Sequence, residues 1–182
     1  QTGGTLAVTG TTALEAGTNI SLSEATNSFG GAVAVSGATD VGLVSTGGVT
    51  LAAVTATGGL SVRAVTGNVG FSGVVSVASL SAVSTAGAIT QSGGSVAVTT
   101  GTTNLTAATD ITLSQSSNDF ASTVNATGRD IDIEDANALT LGAVDASGSV
   151  AVLSTGNLAL GGNVQGALIT AASSAGALTA GT

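Results

Sequence analysis

The phrase ISLSEATNSFGG at residues 20–31 returns as ITLSQSSNDFAS at residues 111–122. The echo runs the length of the chain. QTGGTLAV at the start matches QSGGSVAV from Gln91, and VTLAAVTATGGLSV (49–62) matches LTLGAVDASGSVAV (139–152). TGNVGFSG (66–73) matches TGNLALGG (155–162), and STAGAIT (84–90) matches SSAGALT (173–179). The sequence is two tandem copies, 1–90 and 91–182, of one unit. A period on this scale, holding a finer one, points to a repeat architecture before any globular fold.

The finer rhythm is strand-like. Runs such as TLAVT, ISLS, AVAVS, LSVRAV, DITLS, DIDIED and VAVLS place apolar residues two apart, the mark of a half-buried strand. Clusters such as GTN, TGG, TGN and SGG separate them, and Gly and Asn there supply the turn conformations. Helical periodicity is absent. A new run starts about every 8 residues, so three make a coil of roughly 20–24 residues. The pattern predicts an all-β chain, a right-handed parallel β-helix (β-solenoid) of about 8 coils forming one domain over 1–182, with a coil spacing near 4.8 Å. The alternation points Leu6, Val8, Ile20, Leu22, Val33, Val35, Leu60, Val62, Val96, Val98, Ile111, Leu113, Ile131, Ile133, Leu139, Leu141, Val150 and Val152 inward. Phe29 and Phe120 are expected at equivalent buried sites. Asn27 and Asn118, two residues before each, are expected at corners, their amides bonding to nearby backbone.

Composition excludes several functions. Arg63 and Arg129 are the only bases against ten acids, for a net charge of −8. That argues against nucleic acid and anionic membrane surfaces, which need Lys and Arg. No stretch approaches the ~20 apolar residues of a spanning helix, and a membrane barrel's aromatic girdles have no Trp or Tyr to build them. At 43% hydrophobic the chain is not of the disordered class. With no Cys there is no disulfide framework.

The phrases GAITQSGGSVAV, DITLSQSSNDF and DANALTLGAV resemble the repeats of large secreted bacterial proteins of the filamentous haemagglutinin type. That resemblance implies a β-helical shaft exported by two-partner secretion. The secretion domain and any receptor-binding tip would lie outside these residues.

Candidate sites are few. Asp130, Asp132 and Glu134 alternate with Ile131 and Ile133, so they share one outward strand face. They are the candidate metal ligands, able to hold Ca²⁺ if a neighbouring coil adds oxygens; the simpler reading is a solvated face beside Arg129. Catalysis has little to work with, as His, Lys, Tyr and Cys are absent and no acid pair recurs in both copies: Glu15 and Glu24 correspond to Thr106 and Gln115. Flat Thr-x-Thr rows of the ice-binding kind do not repeat in every coil. Asn19, Asn104 and Asn125 each open an Asn-x-Ser/Thr triplet, read as chance.

The expected role is structural, without enzyme activity or cofactor: a shaft segment of a secreted, surface-associated bacterial adhesin or matrix protein. The alternative is a subunit of an extracellular filament whose end coils stack head to tail on identical subunits. A carbohydrate-binding or polysaccharide-degrading β-helix is a third reading. Neither end of the text carries an atypical capping repeat, so the end coils are expected to expose unpaired strand edges.

Overall fold

The computed structural model describes residues 1–181 and contains no helix among them. Short parallel strands stack into a β-solenoid of about nine turns with three faces. Face one carries Ala7–Val8, Ser28–Phe29, 49–51, Val69–Phe71, Ile89–Gln91, Ile111–Leu113, Ile131–Asp135, Ser149–Ser154 and Leu168–Ser173. Face two carries Thr12–Glu15, Val33–Ala38, 54–56, Val75–Val77, Val96–Val98, Asp119–Phe120, 139–141, Leu158–Leu160 and Leu178–Ala180. Face three carries Ile20–Leu22, Val41–Ser45, Gly59–Ala64, Ser79–Ser84, Thr103–Ala107, Thr123–Gly128, 144–146 and Val164–Gln165.

Coil length is not constant. It runs from 17 residues, where Val124 pairs with Leu141, to 23, where Leu80 pairs with Thr103. Most coils take about 20, fewer than the upper end of the range that the rhythm suggests, so the chain makes about nine turns instead of eight. The short coils arise at two places. Val49–Ala56 and Leu139–Ala146 are each one eight-residue strand that rounds a corner without a turn. Their pairings slip beside the bend, between Val33 and Val35 and between Val124 and Ala126. These irregularities occupy matching positions of the two copies.

The copies are related by a rotation as well as a rise. Ile89–Gln91 on face one corresponds in the second copy to Leu178–Ala180 on face two, and Ile20–Leu22 on face three corresponds to Ile111–Leu113 on face one. Each face of the first copy therefore becomes the next face of the second. One copy spans four and one-third turns, about 21 Å at a coil spacing of about 4.8 Å.

The interior is a narrow apolar column built by the alternation. Fourteen of the eighteen expected inward residues are buried; Leu6, Val8, Ile20 and Leu22 are only half-buried, because the first coil has a neighbour on one side alone. Phe29, Phe71 and Phe120 are all buried. The ladder crosses the copy boundary without a break, Ile89 pairing with Val69 below and Ile111 above. Glycine makes the corners sharp. A Cβ on Gly67 would strike the backbone of Gly48 in the neighbouring coil.

Candidate functional site

The acidic strand is the first place to look. Ile131 and Ile133 are in the core, while Asp132 is exposed and Glu134 half-buried on the outer side. Asp130 is already engaged at the corner. Its Oδ1 accepts the Ser149 N–H at 2.7 Å and the Ser149 hydroxyl at 2.8 Å, and its Oδ2 lies 3.3 Å from Arg129 Nε. Those bonds, led by the Ser149 amide, hold its carboxyl below the usual range. Arg129 reaches further to Asp110, Nη2 to Oδ2 at 2.6 Å, and that bond raises the guanidinium's pKa. The neighbours of Asp132 in the adjacent coils are Thr112 and Ala151, which add one hydroxyl. No group of three or more acids converges on a metal-sized space among the described residues.

The corner acids belong to a recurring device. In the first copy Asn19 Oδ1 accepts the Asp40 N–H, and Asp40 Oδ1 accepts the Gly59 N–H at 2.8 Å. In the second copy Asp110, Asp130 and Ser149 take the same three places. Side-chain oxygens thus carry the backbone ladder around this corner. Asn68 and Asn157 do likewise, accepting the N–H of Ala88 and of Ala177, each at 2.9 Å.

The repeated phrase builds a buried, fully hydrogen-bonded polar site. Asn118 is fully buried. Its Oδ1 accepts the Val96 N–H at 2.8 Å and Gln91 Nε2 at 2.8 Å; its Nδ2 donates to Gln91 Oε1 at 2.9 Å and to Leu113 C=O at 2.9 Å. Asn27 repeats the set with Leu6, Gln1 and Leu22. The two glutamines also donate to the carbonyls of Gly94 and Gly4. Both glycines have positive φ, 68° and 79°, which L side chains rarely adopt. The QSGG and QTGG turns therefore place the glutamine amide, the asparagine locks it, and Phe120 or Phe29 follows in the core. The expectation that Asn27 and Asn118 bind nearby backbone holds; their reciprocal bonds to Gln91 and Gln1 were not anticipated.

Asp135 is a further residue that the acidic pattern hid. It is buried, in phase with Ile131 and Ile133, and accepts the N–H groups of Phe120 and Asn137, each at 2.7 Å. Burial pushes its carboxyl above the usual range, with Asp119 adding to the effect and the two N–H bonds opposing it. Its phase in the alternation was the available signal. Ser45 holds the matching place in the first copy.

An open groove of about 410 Å³ runs along face three. Ser21, Gly42, Ser61 and Ser81 floor it in register, and Asp40 stands at its edge. In the second copy Thr112, Asp132, Ala151 and Thr170 stand in the matching row. Beyond Asn104 the row continues as a ladder: Asn125 Nδ2 donates to Asn104 Oδ1 at 2.9 Å, and Ala143 N–H to Asn125 Oδ1. With Asn19 at its corner, all three triplet asparagines thus hold coils together. The outward row of face one reads Thr50, Gly70, Thr90, Thr112, Asp132, which interrupts any flat threonine surface.

The family model described as "Repeats of unknown function (DUF5649)" matches residues 1–36 and 66–127, more than half of the chain. The first segment is the counterpart of 91–127 in the second copy, so the match follows the internal duplication. The chain matches no curated protein and no solved structure.

Two predictions follow from the buried polar groups. Asn118→Ala leaves the Val96 N–H and the Leu113 C=O unpaired, and at about 1–3 kcal/mol per orphaned buried group it costs at least about 2 kcal/mol. Asn27→Ala costs less, because Gln1 is exposed and water can replace the bonds. Urea unfolding followed by circular dichroism checks both, and equal losses would contradict the burial argument. The second concerns Asp135. A raised folded pKa means that the folded chain holds the proton more tightly than the unfolded one, whose value is about 3.9. This group's contribution to stability therefore rises as pH falls through the folded pKa toward about 4. Relative to Asp135→Asn, the natural chain gains in urea midpoint between pH 7 and pH 4; a constant or shrinking gap would contradict the assignment.

Proposed function

The chain belongs to the DUF5649 family of repeats, and on that premise we propose that it is a non-catalytic, rigid shaft segment of a secreted, surface-associated bacterial adhesin or matrix protein. The observation that carries this reading is the parallel ladder that crosses the copy boundary in register on all three faces. Such a ladder resists bending because every coil is tied to both neighbours, and length is added simply by adding copies. The resemblance of its phrases to filamentous haemagglutinin-type repeats supports export by two-partner secretion. The acidic, Lys-free surface suits a spacer that does not adhere to nucleic acid or anionic lipid. Surface receptors are contacted by other parts of a longer protein.

A second reading is a subunit of an extracellular filament that stacks head to tail; its support is the copy boundary, where one coil seats on the next in register on all three faces. A carbohydrate-binding or polysaccharide-degrading role has weaker support, since the three Phe are buried and the open groove is floored by serine and glycine.

The shaft reading has two measurable consequences. Proteins carrying one, two or three additional tandem copies of 1–90 lengthen by about 21 Å per copy in electron micrographs. Antibody against 1–182 labels intact producing cells. Lengths that do not grow linearly, or labelling only after lysis, would sink it.

A further inference from the structure

We infer that the two bends are joints of unequal strength: Asn125 and Gly142 lock the second, and the first, which has no such lock, is where the solenoid opens first. Each bend is enclosed by coils on both sides. The first, Val49–Ala56 on Val33–Ala38, has Thr12–Glu15 beneath it and Val69–Phe71 and Val75–Val77 above. The second, Leu139–Ala146 on Thr123–Gly128, has Thr103–Ala107 beneath it and Leu158–Leu160 and Val164–Gln165 above.

In the second bend Val124 pairs with Leu141 and Ala126 with Val144, so Gly142 and Ala143 stand over the single residue Asn125. A bulge of this kind leaves a backbone group without its ladder partner. Asn125 supplies the partner. Its Oδ1 accepts the Ala143 N–H at 2.9 Å, and its Nδ2 donates to Asn104 Oδ1 in the coil below at 2.9 Å. One amide thus bridges three coils across the slip. Beyond it, Thr127 and Gly128 stay in register with Asp145 and Ala146. The amide fits because residue 142 is glycine: a Cβ there would collide with Asn125 Oδ1 and Thr123 Cγ2.

The first bend reverses these sizes. Ala32, Ala34 and Ala52 stand where the second has Thr123, Asn125 and Gly142. Val33 pairs with Leu51 and Val35 with Val54, so Ala52 and Ala53 stand over Ala34. The Ala34 methyl cannot accept the Ala53 N–H, and the Ala52 Cβ occupies the space that the amide takes in the second bend. A further slip follows between Val35 and Ala38, where Gly37 takes up the extra residue at a positive φ of 72°. The second bend has no counterpart of this slip. Two slips within one six-residue strand, with no amide to bridge them, leave fewer bonds to break. Local opening begins where such bonds are fewest.

Hydrogen exchange of purified 1–182, read amide by amide by NMR, tests this. Ala53–Ala56 are expected to show lower protection than Ala143–Ala146. Asn125→Ala should lower protection at Ala143–Ala146 by about twofold to tenfold, the worth of one net hydrogen bond, and leave Ala53–Ala56 unchanged. Ala34→Asn combined with Ala52→Gly should raise protection at Ala53–Ala56 by a similar factor over Ala52→Gly alone. Ala34→Asn alone should not raise it, because the Ala52 Cβ blocks the amide. Equal protection at the two bends of the natural chain, no loss in Asn125→Ala, or no gain from Ala34→Asn in the Ala52→Gly background would overturn the inference. Each of these would leave the shaft reading standing, since that rests on the ladder across the copy boundary.

Discussion

Everything in this molecule depends on coils lying in register at the spacing of a backbone hydrogen bond. At about 4.8 Å there is no room for a corner residue that bulges, and each inward side chain packs directly on those above and below it. Glycine at the corners, and Val, Leu, Ile and Ala inside, follow from that one condition. So does the use of side-chain oxygens where the chain turns. A corner cannot continue a strand ladder, and Asn19, Asp40, Asn68, Asp110, Asp130 and Asn157 each accept a backbone N–H from the next coil in its place.

The duplicated phrase marks the points where the column is pinned. Val and Leu stacks are interchangeable along the axis, so they specify register weakly. A buried amide with four hydrogen bonds does not slide. The Gln1–Asn27 and Gln91–Asn118 pairs each join the turn of one coil to the strand of the next. One such pin per copy suits a structure whose other layers are nearly alike.

The class of fold and most of the core were legible because period-two alternation is a direct image of a strand with one face buried. Asn27 and Asn118 were legible because they recur. Three features were not. Asp135 shares a run with outward acids, and its inward phase shows only when counted from Ile131. The bends within Val49–Ala56 and Leu139–Ala146 fall at AA and GA, which carry no turn signal. The rotation between copies needs the number of strands per turn, which rhythm alone leaves open by a residue or two per coil. The acidic triad divides for a physical reason. Asp130 stands at a corner and is taken up by Ser149 and Arg129, while Asp132 and Glu134 stand on the open strand.

The central claim is that equivalent positions of the two copies lie on different faces. Spin labels placed in pairs report it directly. Thr50 and Asp132 lie on one face, four coils apart in an unbroken row, so their backbones should be about 19 Å apart. Gly42 and Asp132 are true counterparts in sequence yet sit on faces three and one. Electron–electron resonance distances should be longer for labels at 42 and 132 than for labels at 50 and 132. The opposite order would mean that the copies stack in line, and the rotated solenoid would be wrong.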